Sequence, residues 1–361
     1  MGSKKSIIIN GLIVGLLSVL LVKYGNPVNM GICIACFIRD TVGGLGLHRA
    51  EVVKYVRPEI IGIVLGAFLM SYGKKEFQSR GGSSPLTRFV LGFIVMVGAL
   101  MFLGCPLRMV LRLAGGDLNA LFGIIGFAAG IGLGIIFLNK GFTLKRTYNL
   151  NKVEGFIFPV INIVLLVLLI SGSAVLIFSQ KGPGSQHAPI LLALVVGLIV
   201  GAYAQRTRLC MVGGIRDLIL FKDWYLISGF LAIFVAALLG NIAFGFFKLG
   251  FVGQPVAHTD GLWNFLGMAL AGFGSVLLGG CPMRQIILAG EGNIDSVITI
   301  LGMAVGAAFA HNFKLASSAQ GPTVNGKIAV IIGFIVVALI GYFNIERSVD
   351  FKVKGDVNIE G

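Results

Sequence analysis

Five cysteines and a set of arginines recur in two short motifs, each present twice. The first reads Gly31-Ile32-Cys33-Ile34-Ala35-Cys36-Phe37-Ile38-Arg39-Asp40 and returns as Arg208-Leu209-Cys210-Met211-Val212-Gly213-Gly214-Ile215-Arg216-Asp217. The second reads Gly104-Cys105-Pro106-Leu107-Arg108 and returns as Gly280-Cys281-Pro282-Met283-Arg284. Nearly the same interval separates the copies of each motif, and no cysteine falls elsewhere. In Cys-Pro-x-Arg, proline is favoured at the first helical position, so the cysteine is expected at the N-cap. A helix start carries free N–H groups and a partial positive charge, which attract an anion. Arg108 and Arg284 lie within the first turn, where guanidinium, N–H groups and sulfur can meet one small ligand. A break in the helix filled by a small buried cysteine is the plainer alternative. Two matched copies weigh against it.

Other chemistries fit less well. Cys33-x-x-Cys36 suits a redox dithiol or half of a zinc site. However, Gly213 stands in the repeat where Cys36 does, so Cys36 is outside the shared pattern. His48, His187, His258 and His311 have no ligand spacing to the cysteines. No metal or other cofactor is expected. Arg39-Asp40 and Arg216-Asp217 are charges within apolar surroundings, either functional or paired to orient a helix. Adjacent residues do not face each other on a helix, so each is expected to pair across the boundary between the repeats. Asp117, Glu291 and Asp295 follow the Cys-Pro segments and are placed to cap helices.

The elements that hold these residues are membrane helices. Of 361 residues, 56% are hydrophobic and 12% charged, with a mean hydropathy of +0.94. A soluble domain carries about 25% charged residues. The net charge is +14, which fits positive loops and anionic lipid, with an electropositive route for an anion as the sharper reading. There is no soluble basic domain to bind nucleic acid and no nucleotide-binding motif. Lys4 and Lys5 precede an apolar run from Ile7 without a clear cleavage site, so that run is expected to be a retained helix.

A span needs about 20 residues. Ten segments approach this: 7–24, 58–73, 87–104, 118–139, 157–179, 189–205, 224–247, 261–280, 293–313 and 327–343. Three are short, so nine to ten spans are expected. The fold class is therefore all-α and polytopic, in two repeats, 1–180 and 185–345, followed by a polar tail at 346–361. The stretch 180–188 reads as a plain linker. Five spans per half make the repeats inverted, with the site at their interface. The Cys33 and Cys210 motifs read as re-entrant or broken helices. Gly126 and Gly130 correspond to Gly302 and Gly306. Lys74, Lys75, Arg80, Lys140, Lys145, Arg146 and Lys152 dominate one side, which places both termini in the cytoplasm. Cys33, Cys36 and Cys105 then approach the site from outside, and Cys210 and Cys281 from inside.

With these motifs in view, the chain resembles the YeeE/YedE family of sulfur-transport membrane proteins over about residues 7–345, and its YedE-type, selenium-linked branch most closely. The resemblance implies an inner-membrane importer, not an enzyme, for a small sulfur- or selenium-containing anion such as thiosulfate. It makes Cys33, Cys105, Cys210 and Cys281 the pathway thiols, with the motif arginines Arg39, Arg108, Arg216 and Arg284 beside them. Cys36, Asp40 and Asp217 are accessory. A cytoplasmic TusA-like sulfur carrier is implied as acceptor. Hydrogen-bonded and covalent relays both remain open. The rival functions are a membrane thiol oxidoreductase or sulfurtransferase using Cys33 and Cys36, and a structural subunit of a membrane complex.

Overall fold

The computed structural model describes residues 4–346; the expected polar tail lies outside the described residues except for Glu346. The chain forms α1 (Lys4–Lys23), α2 (Ile34–Gly44), α3 (Pro58–Gly73), α4 (Pro85–Phe102), α5 (Pro106–Ala114), α6 (Asn119–Asn139) and α7 (Lys152–Ile170). It then forms α8 (Ile190–Thr207), α9 (Met211–Phe221), α10 (Tyr225–Ala243), α11 (Gly261–Leu277), α12 (Pro282–Gly290), α13 (Ile294–Asn312) and α14 (Val324–Phe343). Two-residue strands β1 (Arg80–Gly81) and β2 (Tyr148–Asn149) pair antiparallel. The protein is an all-α, multi-pass membrane protein. Among the described residues, nine helices are long and apolar enough to cross a bilayer, and α3 is a shorter apolar helix.

The order long, short, long, long, short, long, long occurs twice, α1–α7 and α8–α14. Prolines open the elements that follow sharp breaks: Pro58, Pro85, Pro106 and Pro282 each stand at a helix start, where the missing N–H costs nothing. Ahead of α5 and α12 the chain reverses through residues of positive φ, Leu103 (63°) and Gly279 (79°). The segment expected at 157–179 stops earlier. Ser171 and Gly172 (φ 62°) end α7, and the chain becomes a loop through 189.

The halves are interlocked. α1 packs on α10 and its counterpart α8 on α3; α6 packs on α11 and its counterpart α13 on α4. Glycines make these crossings close, as small residues do where apolar surface alone gives membrane helices no reason to associate. A Cβ on Gly126 or Gly130 would lie 2.1 or 1.9 Å from the carbonyl oxygen of Phe265 or Ala269 on α11. A Cβ on Gly302 or Gly306 would lie 2.1 or 2.8 Å from that of Phe89 or Phe93 on α4. A Cβ on Gly201 would likewise lie 2.2 Å from the Ile63 carbonyl oxygen, and one on Gly11 2.2 Å from that of Gly229. The outer faces carry exposed Ile8, Leu12, Leu16, Ile332 and Leu339, as lipid contact requires.

The short helices α2, α5, α9 and α12 have 11, 9, 11 and 9 residues, too few to cross. They pack among the long ones, α5 against α10 and its counterpart α12 against α3.

The glycine crossings give a direct test. Gly130→Ala forces a methyl into a backbone oxygen and should destabilise the protein by about 3 kcal/mol. Gly132→Ala, with nothing within 4 Å of its Cβ, should be neutral or slightly stabilising. Thermal unfolding in detergent separates the two, and equal midpoints would contradict the packing.

Candidate functional site

Each of the four repeated cysteines is the N-cap of a short helix. Cys33 opens α2, Cys105 α5, Cys210 α9 and Cys281 α12, all with extended backbone. The Pro-based expectation covered only Cys105 and Cys281. Cys33 and Cys210 cap without proline, through their sulfurs. Cys33 Sγ accepts the Cys36 N–H at 3.3 Å, and Cys210 Sγ accepts the Gly213 N–H at 3.4 Å.

Within each half the two caps meet. The Ile34 N–H, in the first turn of α2, donates to Cys105 Sγ at 3.3 Å. In the second half the two caps meet sulfur to sulfur. Cys210 Sγ lies 3.9 Å from Cys281 Sγ. Two helix starts therefore converge on two sulfurs, twice over. All five thiols are buried and free. Sulfur is a weak acceptor for these N–H groups, and an anionic oxygen would be a stronger one.

The arginines are held differently in the two halves. Arg39 donates through Nε (2.8 Å) and Nη2 (2.6 Å) to Oδ1 of its own neighbour Asp40. Arg57 donates to Asp40 Oδ2 at 2.8 Å. All three side chains are buried. Arg216 likewise pairs with Asp217 at 2.8 Å, but these side chains are 32% and 21% exposed. The expectation of pairing across the repeat boundary is therefore wrong. Neighbouring Cβ atoms diverge on a helix, but the long arginine side chain reaches back to the adjacent carboxylate.

Arg108 has no exposed surface. It donates to the carbonyls of Asn29 (3.0 Å), Val256 (3.1 Å) and Leu103, and to Cys36 Sγ at 3.4 Å. Cys36, outside the repeat pattern, is thus the thiol this guanidinium touches, and its own S–H donates to Leu103 O at 3.6 Å. Arg284 pairs with Glu291 at 3.1 Å, and Arg208 approaches the same carboxylate at 3.7 Å.

Two buried arginines escaped the sequence reading. Arg112 pairs with Asp117 at 2.6 Å, donates to Phe102 O at 2.7 Å and lies 4.1 Å from the Phe102 ring centroid. It stands one turn after Arg108, a visible signal, but its repeat counterpart is Leu288. Arg57 sits in the stretch 45–57, which shrinks to 222–224 in the second half. It also donates to the carbonyls of Pro183 (2.8 Å) and Gln186 (3.0 Å). The linker is therefore anchored, not plain.

Of the three expected capping carboxylates, Asp117 accepts the Asn119 N–H at 3.0 Å at the start of α6. Asp295 instead holds the N–H groups of Gly82 and Ser83, and Glu291 pairs with the arginines above. His48 bonds the Arg39 carbonyl at 3.1 Å, and burial pushes its imidazole below the ordinary value. His258 bonds Met101 O at 2.9 Å, and His187 stacks on Tyr55 with centroids 4.1 Å apart. Among the described residues, no cluster of three His, Cys, Asp or Glu could hold a metal.

This is a thiol- and arginine-lined interior in a helical membrane protein. Residues 206–345 match the family model described as sulphur transport. A thiosulfate transporter TsuA of Spirochaeta thermophila is 32% identical over 118 residues, 33% of this chain and 35% of the relative. The TsuA of Escherichia coli is 31% identical over 112 residues, 31% of each. The chain spans about a third of the length of these curated relatives. Over residues 206–345 the chain is thus similar to the sulphur-transport family. Both relatives are named as transporters, not enzymes.

The unequal charge clusters predict unequal sensitivities. Asp40→Asn leaves two buried guanidiniums without a counter-charge and should cost about 3–5 kcal/mol. Asp217→Asn should cost less than about 1 kcal/mol, because its pair is partly solvated. Unfolding of the two purified variants decides this, and equal losses would refute the asymmetry.

Proposed function

We propose that the chain imports a small sulfur-containing anion, thiosulfate or a close relative, across the cell inner membrane. The observation that carries this reading is the convergence of cysteine-capped helix starts, Cys33 with Cys105 and Cys210 with Cys281. Partial positive charge and displaceable N–H donors lie there beside polarisable sulfur. The names of the relatives support the substrate class.

On this reading the four symmetry-matched thiols form a path between two inverted halves. The short helices are re-entrant, and both termini lie in the cytoplasm. Cys33 and Cys105 serve the outer approach, Cys210 and Cys281 the inner one. Arg39, Arg108, Arg216 and Arg284 set the positive field, while Cys36, Asp40 and Asp217 support it. Several weak sites in series suit passage, since the ion must leave as well as bind. A selenium compound is the alternative cargo, and a TusA-like carrier is the proposed cytoplasmic acceptor.

Uptake of labelled thiosulfate, selenite and sulfate into cells tests the reading. Wild type should accumulate thiosulfate or selenite above sulfate. Cys105→Ala and Cys281→Ala should each lower that uptake at least about tenfold, a barrier increase of about 1.4 kcal/mol, with expression unchanged. Equal uptake by all three proteins would end the pathway-thiol proposal.

A further inference from the structure

Where α3 and α8 cross, their outer faces leave a trough of about 490 Å³. Gly66, Leu69 and Gly73 of α3 line it with Leu198, Ala202 and Tyr203 of α8. On each helix such positions, three or four residues apart, share one face. A Cβ on Gly66 would lie 2.1 Å from the Leu198 carbonyl oxygen, so the backbones touch there. A Cβ on Gly73 would meet nothing within 4 Å, so the trough stays open at that end. Leu69 and Tyr203 are exposed along it. An open apolar trough between two apolar helices of a membrane protein faces lipid, not the thiol-lined interior.

One end of the trough is basic. Lys74 lines it, and Lys75 follows at the turn that ends α3. Both are exposed, and neither ammonium has a hydrogen bond or ion pair among the described residues. Lys75 also lines a neighbouring recess of about 710 Å³ with Gln78, Ser79, Asn149 and Lys152. No Asp or Glu lines either space. Glu76, the next carboxylate along the chain, is already engaged. It accepts from Gln205 at 2.8 Å and pairs with Arg208 at 3.3 Å and Arg206 at 3.6 Å.

Charged residues crowd this end of α3 and α8, which places it at the water boundary. Gly66 to Lys74 covers about 12 Å of helix axis. The hydrocarbon of one leaflet is about 15 Å deep, half of a core of about 30 Å. An acyl chain lying in the trough therefore starts at the lysines and runs nearly to the midplane.

We propose that the trough binds one anionic phospholipid, with an acyl chain between α3 and α8 and the phosphate on Lys74 and Lys75. A zwitterionic lipid fits the trough equally well but brings a cation of its own to the lysines. The site is independent of what the protein carries. α3 also packs on α12, the short helix that Cys281 opens, so a filled trough braces the element on which that helix rests.

Native mass spectrometry of the full chain in detergent tests this, with phosphatidylglycerol and phosphatidylcholine of the same acyl chains as probes. One phosphatidylglycerol should be held at least about tenfold more tightly than phosphatidylcholine. Lys74→Gln with Lys75→Gln should weaken it about 25-fold, at about fivefold for each lysine, and Lys74→Arg with Lys75→Arg should keep it. Lys4→Gln with Lys5→Gln removes the same charge elsewhere and should change nothing. Gly73→Leu fills the open end and should weaken the lipid about fivefold with both lysines intact.

Equal affinity for the two lipids overturns the site, as does an unchanged affinity in the Lys74/Lys75 or the Gly73 variant. Displacement by inorganic phosphate at equal concentration would mark a free-anion site and also overturn it. A two-chain mass that Gly73→Leu abolishes would assign the trough to a second copy instead. Thermal unfolding covers a variant that gives no usable spectrum. Phosphatidylglycerol should raise the midpoint of the wild type and not that of the Lys74→Gln, Lys75→Gln protein, and equal shifts refute the proposal.

Discussion

A helix that stops inside a packed bundle leaves its last carbonyls without partners, and no water is there to take them. This protein stops α4 and α11 within the bundle, and the short helix that follows supplies the missing donors. Arg112 and Arg108 of α5 donate to Phe102 O and Leu103 O, the last carbonyls of α4 and its cap. In the second half Gln285 of α12 takes the same part, donating to Leu278 O (3.3 Å) and Gly280 O (3.4 Å). The broken helices, the placement of the cysteines and the burial of the arginines all follow from this need. Arg108 goes further, tying Asn29 before α2 and Val256 before α11 to the same point. One guanidinium thus holds three segments around Cys36.

The two halves solve that problem with different charge. Arginine carries a full charge into the first half; Arg108 is held by carbonyls and the Cys36 sulfur alone, and the other three are paired with carboxylates. Asp117 answers Arg112, and Asp40 answers Arg39 and Arg57. The amide of Gln285 is neutral and needs no counter-ion. The sulfurs keep their symmetric placement, but the field around them does not. The first cluster is closed over by the stretch 45–57 and by the linker that Arg57 grips, while Arg216 and Arg208 of the second remain partly exposed. Any path between the clusters therefore joins two chemically unlike ends through similar thiol pairs.

Much of this was legible in the sequence. Hydropathy located the long helices closely, as at 58–73 and 118–139 against Pro58–Gly73 and Asn119–Asn139. The duplicated motifs located the short ones, and Cys-Pro fixed the caps of α5 and α12. Periodicity also paired Gly126 and Gly130 with Gly302 and Gly306, although not with the α11 and α4 carbonyls they meet. What stayed hidden depends on reach rather than on spacing. The Arg39–Asp40 contact is made by a flexible side chain, which a rule about Cβ directions does not describe. Arg57 acts through a loop with no real counterpart, so the repeat comparison passed over it. The linker looks featureless because its anchors are its carbonyls, which every residue has.

The choice of cysteine at four helix starts is the remaining step. Serine or aspartate would cap more strongly, with an oxygen that satisfies the N–H groups outright. A helix start so sealed has little to offer a passing anion. Cys33 and Cys210 hold their N–H groups at 3.3 and 3.4 Å, through a weak acceptor. Enough of the bond is made to keep the buried backbone satisfied, and little is lost when an anionic oxygen takes the sulfur's place. The same caps also present a polarisable atom, which discriminates between oxyanions of equal charge better than a hydroxyl does. Weak capping and a polarisable atom are thus two consequences of one substitution of sulfur for oxygen, and on the proposed transport reading they keep each site from becoming a trap.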